Sequence, residues 1–371
     1  MNTTTWTRYT IMHMDKKVAS IRKNGSCTVY SKSFMPYNLY LETAQDIDID
    51  ERLNNLVNFY AWCSSRLLTL DRKYAKEILN SIGQKQAVTD KERAEIAISY
   101  HCVSMLDVFW VRGDREKTTF DDVCLYKHSL SDAFVDVCLQ GKEFTVQNQE
   151  LLTDADVAGN IATPGVAPKA WIRRAGDFYL LKDGDERDVR AEILASKIIE
   201  CFDVDAVKYE ADVFNEKAVS KCRSIASLEK SLVPAEYVEI YAVNHDRSLF
   251  DYVTVTSFKT YYMINIIYYL VGNTDRHWQN WGFYVDNRTN RLMELYPLMD
   301  FNKAFNSYSS MTGSLCLPEG NACTQQEAAA RAVNVIGLNQ IKDIDEKWFE
   351  GTDYYEMFQR RLEFLKSIEN S

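Results

Sequence analysis

Gly272-Asn273-Thr274-Asp275-Arg276-His277-Trp278-Gln279-Asn280, followed by Met299-Asp300-Phe301, is the stretch on which the reading of this chain turns. It sets an Asp, an Asn five residues on, and a second Asp twenty positions after that. Between them, Trp281–Asp286 and Arg291–Tyr296 are short aromatic and apolar runs around the polar patch Asn287-Arg288-Thr289-Asn290, which predicts a hairpin. The residue types suit a particular chemistry. Magnesium takes oxygen ligands and needs few from protein when phosphates and waters supply the others. An ionised carboxylate beside such a site orients and deprotonates an attacking hydroxyl. Alone, the loop reads equally well as a polar turn whose Asp and Asn serve as caps.

A second constellation upstream breaks the tie. Residues 159–169 (Gly-Asn-Ile-Ala-Thr-Pro-Gly-Val-Ala-Pro-Lys) read as a loop by composition. Ala170–Arg174 and Phe178–Lys182 follow as strands around Ala175-Gly176-Asp177, and then a helix from Glu186 to Cys201 carries Glu192. Phosphoryl transfer in protein kinases uses a strand lysine on the α/β-phosphates, a helical glutamate that holds it, a catalytic Asp, and an Asn and an Asp on magnesium. Lys182, Glu192, Asp275, Asn280 and Asp300 stand in that order. Gly165 suits a loop that covers phosphates with backbone N–H groups. The plainer alternatives are a snorkelling strand-end lysine for Lys182 and a solvated helix face for Glu192. The order of the whole set outweighs them.

Composition bounds the rest. At 371 residues the chain is expected to hold two to three domains. Hydrophobic content of 46% with 26% charged residues is ordinary globular usage. The longest apolar run, Tyr261–Val271, is too short to span a bilayer, and Met1–Arg8 lacks the pattern of a secretory leader. The nine dispersed cysteines contain no Cys-x-x-Cys and read as reduced thiols, which together predicts a soluble cytoplasmic protein. A net charge of −10 argues against direct nucleic-acid or anionic-membrane binding. His13, His101, His128 and His245 share no metal-ligand spacing.

Residues 7–33 predict short strands (Tyr9–Met14, Val18–Ile21, Cys27–Tyr30), and Glu51–Ile82 predicts helix. A helix starts at Thr89-Asp90-Lys91-Glu92, and the sequence turns polar near Gly141–Gln149. Ala206–Ala211 and Val219–Ile225 read as strands, with Ser227–Tyr237 near a bound adenine. Val253–Leu270 reads as a buried helix, and Gln325–Val335 and Tyr354–Ile368 as helices. The expected division is an N-terminal region at 1–150, a smaller lobe with the Lys strand and Glu helix at 151–235, and a mainly helical lobe at 236–371.

Taken together, Asn273-Thr274-Asp275-x-His277-x-x-Asn280, Thr163-x-Gly165-x-x-Pro168-Lys169-Ala170-Trp171, Tyr179-Leu180-Leu181-Lys182 and Glu192–Lys197 resemble the HipA-like serine/threonine kinases of bacteria. The likeness covers about residues 155–310. It implies an α+β, bilobal protein-kinase-like fold with an additional N-terminal α/β region, using ATP and Mg2+. Asp275 would be the base, Asn280 and Asp300 the metal ligands, and Gly165, Lys169, Lys182 and Glu192 the nucleotide-side residues. His277 would position Asp275 or Asp300, or be a structural loop histidine. The resemblance further implies autophosphorylation, for which Thr163 is the nearby hydroxyl, and an antitoxin-like partner that nothing in this acidic chain shows. Asp300 is followed by Phe301-Asn302 without a glycine, so eukaryotic activation-loop switching does not carry over. The protein substrate is unknown. A lipid or small-molecule kinase and a nucleotide-binding pseudokinase scaffold stay open beside the protein kinase. A metal-dependent hydrolase would leave Lys182 and Glu192 unexplained.

Overall fold

A computed structural model describes residues 6–43, 47–84, 87–142, 154–183 and 186–370. The polar boundary expected near Gly141–Gln149 falls mostly outside them, as do the first five residues and Asp46. The chain divides into two units. The first holds Met1–Lys182, Ala226–Leu232 and Val285–Leu292; the second holds Asp183–Ile225, Val233–Tyr284 and Met293–Ser371. Among the described residues no helix is long and apolar enough to cross a membrane.

In the first unit, strands Arg8–His13, Lys16–Arg22, Cys27–Val29 and Phe109–Gly113 form an antiparallel sheet with Arg8–His13 between Lys16–Arg22 and Phe109–Gly113. Trp110 is wholly buried there, and its indole N–H donates to the Met14 carbonyl at 2.7 Å. Capping boxes start two helices: Asp48 with Glu51 for Ile49–Ser64, and Thr89 with Glu92 for Asp90–Ser99. The helix expected across Glu51–Ile82 is interrupted, because only Ile49–Ser64 and Ala75–Ser81 are helical. The cause lies far along the chain. Arg66 forks onto Asp107 at 2.8 and 2.7 Å and also donates to the Cys102 and Phe109 carbonyls. That anchor draws Leu67 and Leu68 inward, and Tyr74 restarts the helix from a left-handed φ of 67°.

The loop expected from Gly159 begins later than composition suggests, since Asp154–Ile161 is helical. Asn160 on that helix is fully buried; its Oδ1 accepts from the Trp171 N–H at 2.6 Å and its Nδ2 donates to the Trp171 carbonyl. It thereby holds the hairpin Lys169–Arg174/Asp177–Lys182, which pairs in antiparallel register from Lys169↔Lys182 to Arg174↔Asp177.

The second unit contains helix Glu186–Ile199, the antiparallel hairpin Glu210–Phe214/Lys217–Arg223, and a helical body. The single helix expected over Val253–Leu270 is two, Leu249–Thr256 and Phe258–Leu270. Ser257 separates them at φ −155°, where its Oγ accepts the Leu295 N–H at 2.7 Å. Helix Phe258–Leu270 is buried over most of its surface and packs on Gln325–Ile336 and Tyr355–Glu369. A helix sheathed this way is a rigid platform for whatever leaves its C-terminal end.

Candidate active site

That end delivers the Asp275 loop. Gly272 follows the helix at φ 61°, and a Cβ there would come within 2.6 Å of the Tyr308 ring. The Tyr308 hydroxyl donates to the Leu270 carbonyl at 2.5 Å. Beneath lies Arg361, fully buried between the Tyr269 and Tyr308 rings at 4.8 and 4.7 Å. Its guanidinium donates to the carbonyls of Tyr269, Ser307 and Ser310, at 2.5, 2.8 and 2.6 Å. It closes the helix end and the loop after Asp300 together.

Asn273 is the junction of the site. It is fully buried. Its Oδ1 accepts the Asp275 N–H at 3.1 Å, its Nδ2 donates to the Asp300 carbonyl at 3.1 Å, and its own carbonyl accepts from Gln325 Nε2 at 2.6 Å. One side chain therefore ties the backbones of Asp275 and Asp300. Asp300 sits at φ 64°, a conformation that costs a residue with a Cβ about 1–2 kcal/mol. Its N–H donates to the Tyr209 hydroxyl at 3.1 Å. The next residue, Phe301, is fully buried and meets Tyr268 edge-on at 6.1 Å. Burial pushes the Tyr296 hydroxyl up, with Tyr268 and then Asp300 adding to the effect.

Asn280 is buried, and its Nδ2 donates to the Asp275 carbonyl at 2.8 Å. With the amide nitrogen engaged, Oδ1 is the atom suited to a cation. His277 Nδ1 accepts the Gln279 N–H at 3.2 Å, which places the ring proton of a neutral imidazole on Nε2. Nε2 stands 3.5 Å from Asp275 Oδ1. Asp275 and His277 keep 37% and 51% of their side chains exposed, so both reach solvent. Lys303 pairs with Asp188 at 2.6 Å, and its carbonyl accepts the Thr274 N–H. Glu192 is buried rather than on a solvated face, and its Oε2 accepts from Ser220 Oγ at 2.5 Å.

In the first unit, Gly165 takes φ 97°, and a Cβ on it would lie 2.5 Å from Lys169 Nζ. The positive φ favours glycine here, and a side chain would also have to displace the movable end of Lys169. Lys169 and Lys182 are both buried. Arg72, 2% exposed, donates to the Thr163 and Lys169 carbonyls. Thr163 is buried too, with Oγ1 donating to the Gly159 carbonyl at 2.8 Å.

Within the second unit, then, Asp275, His277 and Asn280 are gathered on one loop, with Asp300 joined to it through Asn273. Asn280 Oδ1 and the Asp300 carboxylate are oxygen atoms of the type magnesium accepts. Among the described residues, no group of three or more His, Cys, Asp or Glu could hold a metal ion. Sequence reading gave no role to Asn273, Tyr209 or Gln325. The Thr324-x-x-Glu327 capping box marks where Gln325 lies but not where its side chain points.

No family model and no curated protein matches the sequence. Among solved structures, the Helicobacter pylori proinflammatory kinase CtkA overlays with 14% identity, 54% of this chain, 88% of its own and a TM-score of 0.39. HipA of a Shewanella oneidensis MR-1 toxin-antitoxin system, solved with HipB and operator DNA, overlays with 11% identity, 98% of this chain, 99% of its own and a TM-score of 0.54. The full-length overlay defines the class: an α+β, kinase-like fold. More narrowly, that fold is HipA-like.

Proposed function

We propose that this chain is an ATP- and Mg2+-dependent phosphotransferase, a HipA-like kinase acting on a protein Ser or Thr hydroxyl. The observation that supports it best is the double tie of Asn273, which fixes Asp275 relative to Asp300. Phosphoryl transfer asks mainly for positioning and charge. In this reading Asp275 accepts the proton of the acceptor hydroxyl. His277, donating from Nε2, orients that carboxylate. Asn280 Oδ1 and the Asp300 carboxylate would hold magnesium, which would neutralise phosphate charge. Lys182 and Lys169 supply positive charge to the phosphates, and the backbone around Gly165 supplies N–H groups. Glu192 corresponds to the helical glutamate of the kinase pattern.

A net charge of −10 argues against a direct nucleic-acid role, and an antitoxin-like partner protein is proposed only by analogy with the HipA–HipB complex. Autophosphorylation at Thr163 requires its hydroxyl to leave the Gly159 carbonyl and the loop to open. The test is γ-labelled ATP with magnesium, comparing wild type with Asp275→Ala and Asp300→Ala. The expected result is label on a protein Ser or Thr that falls at least ~10²-fold in each variant. Full activity in either variant, or no ATP binding by wild type, overturns the reading. Label on lipid or a small alcohol alone would move the substrate class.

A further inference from the structure

All nine cysteines are free thiols, and two pairs of them interact electrostatically. Burial and then Cys102 push the Cys63 thiol up, but the two are 0% and 1% exposed, sealed from any reagent. Cys316 and Cys323 are cross-strand partners, and their setting differs. They face one another in register on the antiparallel ribbon Leu315–Cys316/Cys323–Thr324, and each keeps 8% exposure. Directly opposed residues in such a pair have Cα atoms about 4.5–5.5 Å apart, within the range a disulfide bridges. Flanking residues Leu315 and Leu317 are 79% and 60% exposed, so the ribbon lies at the surface.

We propose that Cys316 and Cys323 form a thiol-modification site that closes to an intramolecular disulfide by exchange with a small disulfide such as oxidised glutathione. The Cys316 thiolate attacks one glutathione sulfur, forming a mixed disulfide and releasing glutathione thiolate. Cys323 sulfur, giving up its proton to solvent, then attacks the Cys316 sulfur and expels the second glutathione. Two protein thiols are oxidised and one glutathione disulfide is reduced to two thiols. Burial pushes the Cys316 thiol up to about 11, while Arg276 and Arg331 pull the other way. Exchange is therefore slow near neutrality and faster in mild alkali.

Closure reaches the Asp275 loop through Gln325. A disulfide holds its Cβ atoms about 3.8 Å apart, against about 4.5–5.5 Å for an open pair, so the ribbon must draw in by about 1 Å. Gln325 follows the ribbon directly and is buried. Its Nε2 holds the Asn273 carbonyl at 2.6 Å, while its Oε1 accepts from Ser307 Oγ at 3.0 Å and from the Ser314 N–H at 3.1 Å. Movement of the ribbon loosens that hub.

The experiment incubates the full chain with oxidised glutathione at mildly alkaline pH, quenches with acid, alkylates, and digests after Glu319 to separate the two cysteines. The expected product has two fewer alkylatable thiols and two fragments joined through Cys316 and Cys323; Cys316→Ser and Cys323→Ser do not form it. Amide exchange across residues 272–280 should be several-fold faster in the oxidised chain and return with dithiothreitol. Alkylation of both thiols throughout, or a disulfide formed elsewhere, overturns the site. A disulfide with unchanged exchange overturns the coupling. Neither readout uses kinase activity, so failure of the proposed function leaves this inference standing.

Discussion

The Gly165 loop of the first unit and the Asp275 loop of the second are both held from beneath by a buried arginine that donates to backbone carbonyls. Arg72 reaches Thr163 and Lys169; Arg361 reaches Tyr269, Ser307 and Ser310. Among the described residues neither arginine pairs with a carboxylate, and burial lowers the proton affinity of both. The loops above them differ. The Gly165 loop is shaped by backbone, through a positive φ and the approach of Lys169. The Asp275 loop is shaped by side chains, with Asn273, Asn280 and His277 each bonded to backbone. A loop fixed by side chains announces itself in sequence. One fixed by backbone shows little more than a glycine.

The comparison can be broken by removing each arginine. Arg361→Met strands three carbonyls and two ring contacts, and should cost about 3–5 kcal/mol in urea unfolding of the full chain. A loss under 1 kcal/mol would mean water replaces the guanidinium.

The first unit also carries an acid liability. His13 is buried between the Phe34 and Phe109 rings, at 5.1 and 4.9 Å, with Nε2 unpartnered. Desolvation drops it from 6.5 to about 4, with Asp107 partly opposing. Because the folded value lies below the unfolded one, its contribution is complete above pH ~6.5 and declines as pH falls toward about 4. The swing is on the order of 3 kcal/mol. His13→Gln should flatten that part of the pH–stability curve, and an unchanged curve would refute it.

Arg72→Met, with two carbonyls left, should cost about 2–3 kcal/mol, less than its counterpart. Reversed ranking of the two arginine variants would end the parallel between the loops. Gly165→Ala is the mildest, at about 1–2 kcal/mol for the left-handed φ, plus displacement of Lys169. Thermal melts should show a small drop, where no drop would mean the loop relaxes freely.

How much was legible follows the same division. The kinase-like α+β fold, the hairpin ending at Lys182 and the helix start at Thr89 were readable, because local periodicity and capping residues specify them. The interruption after Ser64 was not, since it is imposed by Arg66 and Asp107, 41 positions apart. Nor were Tyr209 and Arg361, whose partners lie 91 and 92 positions away. Asn273 was in plain view within the motif. Its buried placement is what reveals that it bonds both loops.

That double bond has a kinematic consequence. Asp275 and Asp300 sit on segments 25 residues apart, yet share one fastener, so their thermal displacements are correlated rather than independent. A displacement of one backbone is passed to the other through the Asn273 amide. The two backbone segments are coupled as one piece through a single amide side chain.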